Sequence, residues 1–191
     1  MERVKTDTKV MRLVLAALMA CLILVGTSLF KIPVPMTQGY VHLGDAMIFL
    51  AVMLLGKRDG ALAAGIGSAL GDLLGGYAFW MPWTFVIKFL MAFLMGIFIE
   101  KVGADRHVTN EGYRITWVDL LGMLVGGMEM VAGYLVAERF IYYGNWATAV
   151  IGVPWNIGQF VVGGALAVII AGALCKTPVR KYFLGKGRQN A

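Results

Sequence analysis

Six apolar runs, separated by short polar breaks, constrain this chain more than any other feature. The runs span approximately residues 10–30, 43–56, 59–76, 82–100, 117–142 and 146–175. A helix that crosses a bilayer needs about 20 residues, and only 15% of the 191 residues are charged, against about 25% in soluble domains. The pattern therefore predicts an all-α integral membrane protein, in which six transmembrane helices form a single membrane domain over residues 1–191.

The second and third runs are short, and only the charged break Lys57-Arg58-Asp59 separates them. One long kinked helix would place these three charges in hydrocarbon, at a cost of several kcal/mol. We therefore expect a tight hairpin between two helices at this break.

The Lys and Arg residues other than Lys88 predict the orientation. With six helices both termini lie on one side, and the positive-inside rule makes the cation-rich side cytoplasmic. The other side holds only Lys31 and Arg139. The side of the termini holds Arg3, Lys5, Lys9, Arg12, Lys57, Arg58, Lys101, Arg106, Arg114, Lys176, Arg180, Lys181, Lys186 and Arg188. We thus expect a multi-pass protein of the cell (plasma) membrane with cytoplasmic N- and C-termini, and the net charge of +6 requires no nucleic-acid partner.

The sequence contains little that supports a catalytic or cofactor-binding function. No G-x-x-x-x-G-K-[ST] loop is present, so we expect no ATPase in this chain. Cys21 and Cys175 lack metal-ligand spacing, and clustered His and acidic residues are absent. An intramembrane enzyme remains an alternative, but it would have to pair Ser68 with His42 without a G-x-S-x-G turn. We expect no enzyme activity, no metal and no cofactor in this chain.

Strongly polar residues lie mainly in the outer halves of the predicted spans, where each is costly unless it is paired or hydrated. They are Asp72, Lys88, Glu138, Asn156 and Gln159, with Glu129 closer to mid-membrane. This distribution predicts a pocket that opens outward and ends within the bilayer. Residues 31–45 contain two prolines that prevent a helix, so we expect this external loop to pack back over the helices as a lid.

Some of these polar residues also have a purely structural interpretation. Lys88 and Glu129 could form an ion pair between two helices, and Asn156 with Gln159 could bond neighbouring helices. Against this, Asn156 and Gln159 share one helix face just after Pro154, which frees a backbone carbonyl and favours a ligand contact.

The aromatic residues and the loop histidine leave two interpretations open. Trp83 and Trp146 could belong to an interfacial aromatic belt or stack on an aromatic ligand. His42 could be a lid residue over the pocket or a solvated histidine.

A set of short motifs resembles the S components, the substrate-binding subunits, of energy-coupling factor (ECF) vitamin transporters. The resemblance covers nearly the whole chain and is nearest to the hydroxymethylpyrimidine and pyridoxine type. The motifs are Gly39-Tyr40-Val41-His42-Leu43-Gly44-Asp45-Ala46, Leu55-Gly56, Gly65-Ile66-Gly67-Ser68-Ala69-Leu70-Gly71-Asp72-Leu73, Gly75-Gly76-Tyr77, Thr84-Phe85-Val86-Ile87-Lys88 and Pro154-x-Asn156-x-x-Gln159.

The resemblance implies a subunit that captures a vitamin outside the cell and docks on a transmembrane scaffold (T) protein with two cytoplasmic ATPases, which use the ATP. In the family an A-x-x-x-A pattern on the first helix mediates docking, and Ala16 and Ala20 match it. The family's ligand site falls here on His42, Trp83, Thr84, Lys88, Glu129, Asn145, Trp146, Asn156 and Gln159. We assign Lys88 to an anionic or phenolate oxygen, and Asn156 with Gln159 to ring nitrogen or hydroxymethyl groups.

The substrate implied by the resemblance is a small aromatic vitamin or precursor, either a pyridoxine-type B6 vitamer or hydroxymethylpyrimidine. An S component for pantothenate or riboflavin is an alternative. A self-sufficient secondary transporter is another, although such a protein needs an inverted repeat and broken helices, and no convincing repeat is present in the sequence.

Overall fold

A computed structural model describes residues 2–35, 39–103, 108–109, 112–113 and 115–178, and within these ranges the fold is helical with two short hairpins. Residues 36–38 of the expected lid loop, and the expected cytoplasmic cations Arg106, Arg114, Arg180, Lys181, Lys186 and Arg188, lie outside the described residues. The helices are α1 (Glu2–Leu29), α2 (Gly44–Leu74), α3 (Met81–Gly103), α4 (Trp117–Ala137) and α5 (Trp146–Leu174). The strands are β1 (Lys31–Pro33), β2 (Tyr40–His42), β3 (Val108–Thr109) and β4 (Gly112–Tyr113), and a π-helical turn (Glu138–Tyr142) continues α4.

Four helical segments are long and apolar enough to cross a membrane within the described ranges, namely Lys9–Leu29, Met81–Gly103, Trp117–Tyr142 and Trp146–Leu174. The second and third apolar runs form two helical segments that follow one another without an intervening loop. They form α2, which is interrupted at a single residue, Gly56 (φ 82°, ψ −175°). Glycine takes this positive φ without strain, so helical bonding resumes at once and no loop is needed.

The two halves of α2 fold back on each other at Gly56. A Cβ atom on Gly60 would lie only 3.0 Å from the Cα of Val52, whereas residues eight apart on a straight helix are separated by about 12 Å. The turn therefore has the tight hairpin shape expected at the charged break, one residue earlier than Lys57.

Glycines bring the helices into close contact. On the second half of α2, Gly67 faces the Ala20 carbonyl and Ile23 of α1, with no room for a Cβ atom. On α4, Gly126 faces the backbone of Met91 on α3 in the same way. The helices pack in the order α1–α2–α3–α4–α5, and α5 closes the bundle against α2.

One end of the bundle carries its charges in interhelical ion pairs. Arg12 of α1 binds Asp59 of α2 with an N–O distance of 2.7 Å, and Lys57 of α2 binds Glu100 near the end of α3. These cations, which the sequence placed on the side of the termini, therefore lie together. At the opposite end of α1 and α2 lies the hairpin β1–β2.

Candidate functional site

The hairpin β1–β2 forms a lid over one end of the bundle. Lys31 pairs with His42 and Pro33 with Tyr40 in an antiparallel register. Val41 and His42 of β2 are buried. The Tyr40 ring of the same strand packs against the Tyr77 ring, with centroids 4.4 Å apart. The part of the loop that the structure describes therefore packs over the ends of the helices.

His42 is a lid residue and not a solvated histidine, because only 7% of its surface is exposed. Its backbone N–H donates a hydrogen bond to Gln159 Oε1 of α5 at 2.9 Å, and its Nδ1 accepts one from the Gly44 N–H at 3.0 Å. Burial lowers the pKa of His42 to about 3. The ring is therefore neutral near pH 7, which is the form in which Nδ1 can accept a hydrogen bond.

Gln159 connects the lid to a buried ion pair. Its Nε2 donates to Asp45 Oδ2 at 2.9 Å, and the other carboxylate oxygen of Asp45 accepts from Lys88 Nζ at 2.5 Å. The side chains of Asp45 and Lys88 are fully buried. The alternative that Lys88 pairs with Glu129 is therefore wrong: its partner is Asp45 at the first turn of α2, 43 residues earlier in the chain.

A small cavity of about 30 Å³ lies beneath the lid between the helices. Four of the predicted site residues line it: His42, Thr84, Asn156 and Gln159. Since one water needs about 10–15 Å³, the cavity has room for about two waters. A vitamin ring would enter only after the lid or the lining side chains moved. The other lining residues are Val34, Gly39, Tyr40, Asp72, Trp80, Tyr134, Glu138 and Gly152.

Some polar groups of the cavity are paired with each other. Tyr40 donates its phenolic O–H to Asp72 Oδ1 at 2.5 Å, and the oxygens of Thr84 and Tyr134 lie 3.2 Å apart. Burial, together with the Asp72 charge, raises the pKa of Tyr40, so its phenol stays protonated and remains a donor.

Three other buried atoms on the cavity wall have no hydrogen-bond partner among the described residues: Asp72 Oδ2, Trp80 Nε1 and Glu138 Oε2. A buried polar group left unpaired costs about 1–3 kcal/mol. Such atoms therefore mark the positions at which an incoming ligand or water gains most. The sequence placed Asp72 and Glu138 in the outer polar layer but not in the binding set.

Five predicted site residues lie away from the cavity wall. Lys88 is held by Asp45, and Glu129 is half-buried with Oε2 unpaired among the described residues. Trp83 and Trp146 are 40% and 52% exposed, and Asn145 caps α5 by accepting a hydrogen bond from the Thr148 N–H at 2.9 Å. Trp80, and not the predicted Trp83, lines the cavity, and it is buried and stacked on Tyr142 with ring centroids 3.6 Å apart. No pattern in the sequence distinguishes these two neighbouring aromatic residues.

Comparison with known families and curated proteins gives consistent results. The profile of the family described as "ECF-type riboflavin transporter, S component" matches residues 7–176. The chain is 36% identical over 148 residues to an uncharacterized protein of Pyrococcus woesei, covering 76% of this chain and 92% of that protein. It is 29% identical over 179 residues to the thiamine precursor transporter HmpT of Lactococcus lactis subsp. cremoris (strain MG1363), covering 93% of this chain and 95% of that one.

A solved structure has the same fold. The crystal structure at 2.1 Å of the S-component for biotin from an ECF-type ABC transporter superposes with a TM-score of 0.71 at 21% identity. The match covers 93% of this chain and 98% of that chain. At this identity the likeness concerns the fold, and the resemblance drawn from the sequence motifs is confirmed at the level of the family.

Proposed function

This chain belongs to the family of ECF-type riboflavin transporter S components, and from that premise we propose that it captures a small aromatic vitamin precursor and delivers it to an ATP-driven module. Proteins of this family are substrate-binding transport subunits and not enzymes. The substrate that we propose is hydroxymethylpyrimidine or a close single-ring analogue.

The observation that carries this proposal is the buried polar cavity under the hairpin lid. His42, Thr84, Asn156 and Gln159, which the family resemblance implied as ligand contacts, all line it. Several polar side chains that converge on one small buried pocket are typical of a site for a small polar heterocycle. The relative HmpT, named as a thiamine precursor transporter, supports the pyrimidine over other vitamins.

The proposed roles follow from these positions. Asn156 and Gln159 bond the ring nitrogen or hydroxymethyl group, and the lid residue His42 closes over the ligand. Lys88 acts from behind the wall, because its ion pair with Asp45 orients the amide of Gln159. Glu129, Trp83, Asn145 and Trp146 contact ligand only if the site rearranges when the lid opens.

Delivery requires a docking surface for partners, and we place it on α1. Ala16 and Ala20 are half-buried on the wall of a groove of about 860 Å³ between α1 and the second half of α2. Small residues allow the close helix approach on which membrane interfaces depend. We propose that the T scaffold and the two ATPases of the ECF module engage this groove. In this arrangement the chain crosses the plasma membrane six times, with both termini in the cytoplasm.

Calorimetric titration of the purified protein in mild detergent, without partner subunits, tests the function. We expect submicromolar binding of hydroxymethylpyrimidine without turnover, and weaker binding of pyridoxine, pantothenate, biotin and riboflavin. Asn156→Ala should weaken binding by about tenfold, the value of one hydrogen bond. Gly158→Ala on the same helix is the matched control, because no other group lies within 4 Å of the added Cβ atom. Tightest binding of another vitamin would overturn the assigned substrate, and no binding at all would overturn capture.

A further inference from the structure

We propose that Asp72 and Glu138 make the cavity selective for a ligand that brings its own proton donors, namely an amino-substituted nitrogen heterocycle. This inference rests on the proposed function and adds a requirement, namely that the substrate carries hydrogen-bond donors on its ring. The carboxyl groups of Asp72 and Glu138, in addition to the amides of Asn156 and Gln159, determine this requirement.

Asp72 presents one free oxygen to the cavity. Its side chain, on the second half of α2, is only 3% exposed. Tyr40 occupies Oδ1 through a 2.5 Å hydrogen bond, which fixes the carboxyl group and leaves Oδ2 unpaired among the described residues. A held carboxylate with one free oxygen is a preorganised acceptor.

Glu138 presents the second acceptor. It is the first residue of the π-helical turn, is 4% exposed, and its Oε2 also has no partner among the described residues. The carboxyl group lies against Gly152 of α5, where a Cβ atom would come within 2.7 Å of Oε2 and 2.8 Å of Oε1. A glycine at this position is therefore what leaves room for the carboxyl group beside the cavity.

No cation on the described cavity wall balances these acids. None of the lining residues is Lys or Arg. Lys88 is bound to Asp45, and Lys31 lies over the outer rings of Tyr40 and Tyr77, with Nζ 4.7 Å and 5.2 Å from their centroids. A ligand carrying its own carboxylate would therefore find two further carboxyl groups on this wall and no cation among the described lining residues.

An amino group beside a ring nitrogen matches the free atoms. Such an edge offers N–H donors to carboxylate oxygens, and hydrogen bonds to a charged acceptor are the strong ones. The ring nitrogen on the other side can accept from the Trp80 N–H, the third unpaired group on the wall. A hydroxyl in place of the amino group offers one donor and leaves one of the acids unsatisfied, and a hydrogen leaves both unsatisfied.

The test compares hydroxymethylpyrimidine with its analogue lacking the amino group, by calorimetry on the wild-type protein and on Asp72→Asn and Glu138→Gln. We expect the wild type to bind the amino compound about 10–100-fold more tightly, the usual value of a hydrogen bond to a charged group. Each neutral isostere should reduce this preference, chiefly by weakening the amino compound. Glu100→Gln, which removes the same charge at the opposite end of the bundle, should leave the preference unchanged.

Equal binding of the two compounds by the wild type would overturn the inference. This outcome uses no variant, so it does not depend on whether the variants fold. An unchanged preference in both isosteres, with thermal unfolding showing that they are folded, would also overturn it. Tight binding of pantothenate or riboflavin, insensitive to both substitutions, would reject this inference while leaving vitamin capture intact. Absence of binding for every compound would reject both.

Discussion

Lys88 and Asp45 form an ion pair with an N–O distance of 2.5 Å in which both side chains are completely buried. The pair joins α3 to the first turn of α2, and Gln159 of α5 donates to its second carboxylate oxygen. Three helices and, through the His42 N–H, the lid therefore meet at one polar centre. The proposed ligand cavity shares His42 and Gln159 with this centre.

Breaking the ion pair from one side should be strongly destabilising. Lys88→Met leaves the Asp45 carboxylate without its cation, and Asp45→Asn leaves the ammonium group without its anion. Removing one partner of a buried pair costs about 3–5 kcal/mol. We expect both single variants to show a much lower midpoint of thermal unfolding in detergent.

The double variant Asp45→Asn with Lys88→Met is the control, because it removes both charges and keeps an acceptor for Gln159. It should recover much of the lost stability, and additive losses would contradict direct coupling. If the double variant also binds ligand with near wild-type affinity, Lys88 supports the site and does not contact the ligand.

The bond from the His42 N–H to Gln159 Oε1 should hold the lid closed. Gln159→Leu removes this acceptor and the donor to Asp45, while the charges of the ion pair remain in contact. We expect ligand to dissociate at least about tenfold faster, because the variant loses the lid bond together with the proposed contact of Gln159 with the ligand, and each hydrogen bond contributes about 0.5–1.5 kcal/mol. The loss of stability should be smaller than in Lys88→Met. Stopped-flow dissociation measures this, and an unchanged dissociation rate would show that the lid is held by other contacts.

Acid should destabilise the protein through His42. Its pKa is lowered to about 3 in the folded state, against 6.5 for an ordinary histidine, so the unfolded chain binds the extra proton first. The contribution is fully present above about pH 6.5 and is lost as the pH falls towards 3, by up to about 1.4 kcal/mol per pH unit. His42→Asn keeps an acceptor near the position of Nδ1 but does not titrate. Its unfolding midpoint should fall less between pH 6.5 and 4.5 than that of the wild type, and identical slopes would contradict this account.

The sequence could predict an all-helical fold with apolar membrane-spanning helices, because this depends on composition and spacing along the chain. Partners across the bundle were harder to predict. Nothing in the sequence distinguishes Asp45 from the other acidic residues as the partner of Lys88. The two residues meet because α2 turns back at Gly56 and α3 packs against it. The choice of Trp80 over Trp83 likewise depends on which face of the turn before α3 meets α4, and no periodicity in the sequence determines that.

Gly152→Ala should weaken ligand binding without removing any polar group. The new methyl group would come within 2.7–2.8 Å of the Glu138 carboxyl oxygens and push that group out of its position. We expect an affinity loss comparable to that of Glu138→Gln. Gly158→Ala, where the methyl group meets no other atom within 4 Å, should bind as the wild type does. Equal affinity for the two alanine variants would show that the position of Glu138 does not matter for binding.

Filling the groove on α1 should separate capture from transport. Leucine at Ala16 or Ala20 adds bulk at two half-buried positions on the groove wall, and overpacking at a close interface costs about 1–3 kcal/mol. Ligand titration in detergent should be unchanged, because the ligand cavity lies under the lid at the other end of α1. Vitamin uptake by cells that also express the ECF module, and co-purification of its T protein and ATPases, should fall about tenfold. Leu18→Trp is the control, since Leu18 is 52% exposed and lies outside the groove. If Ala16→Leu and Ala20→Leu supported uptake as well as Leu18→Trp does, the partner module would dock on another face.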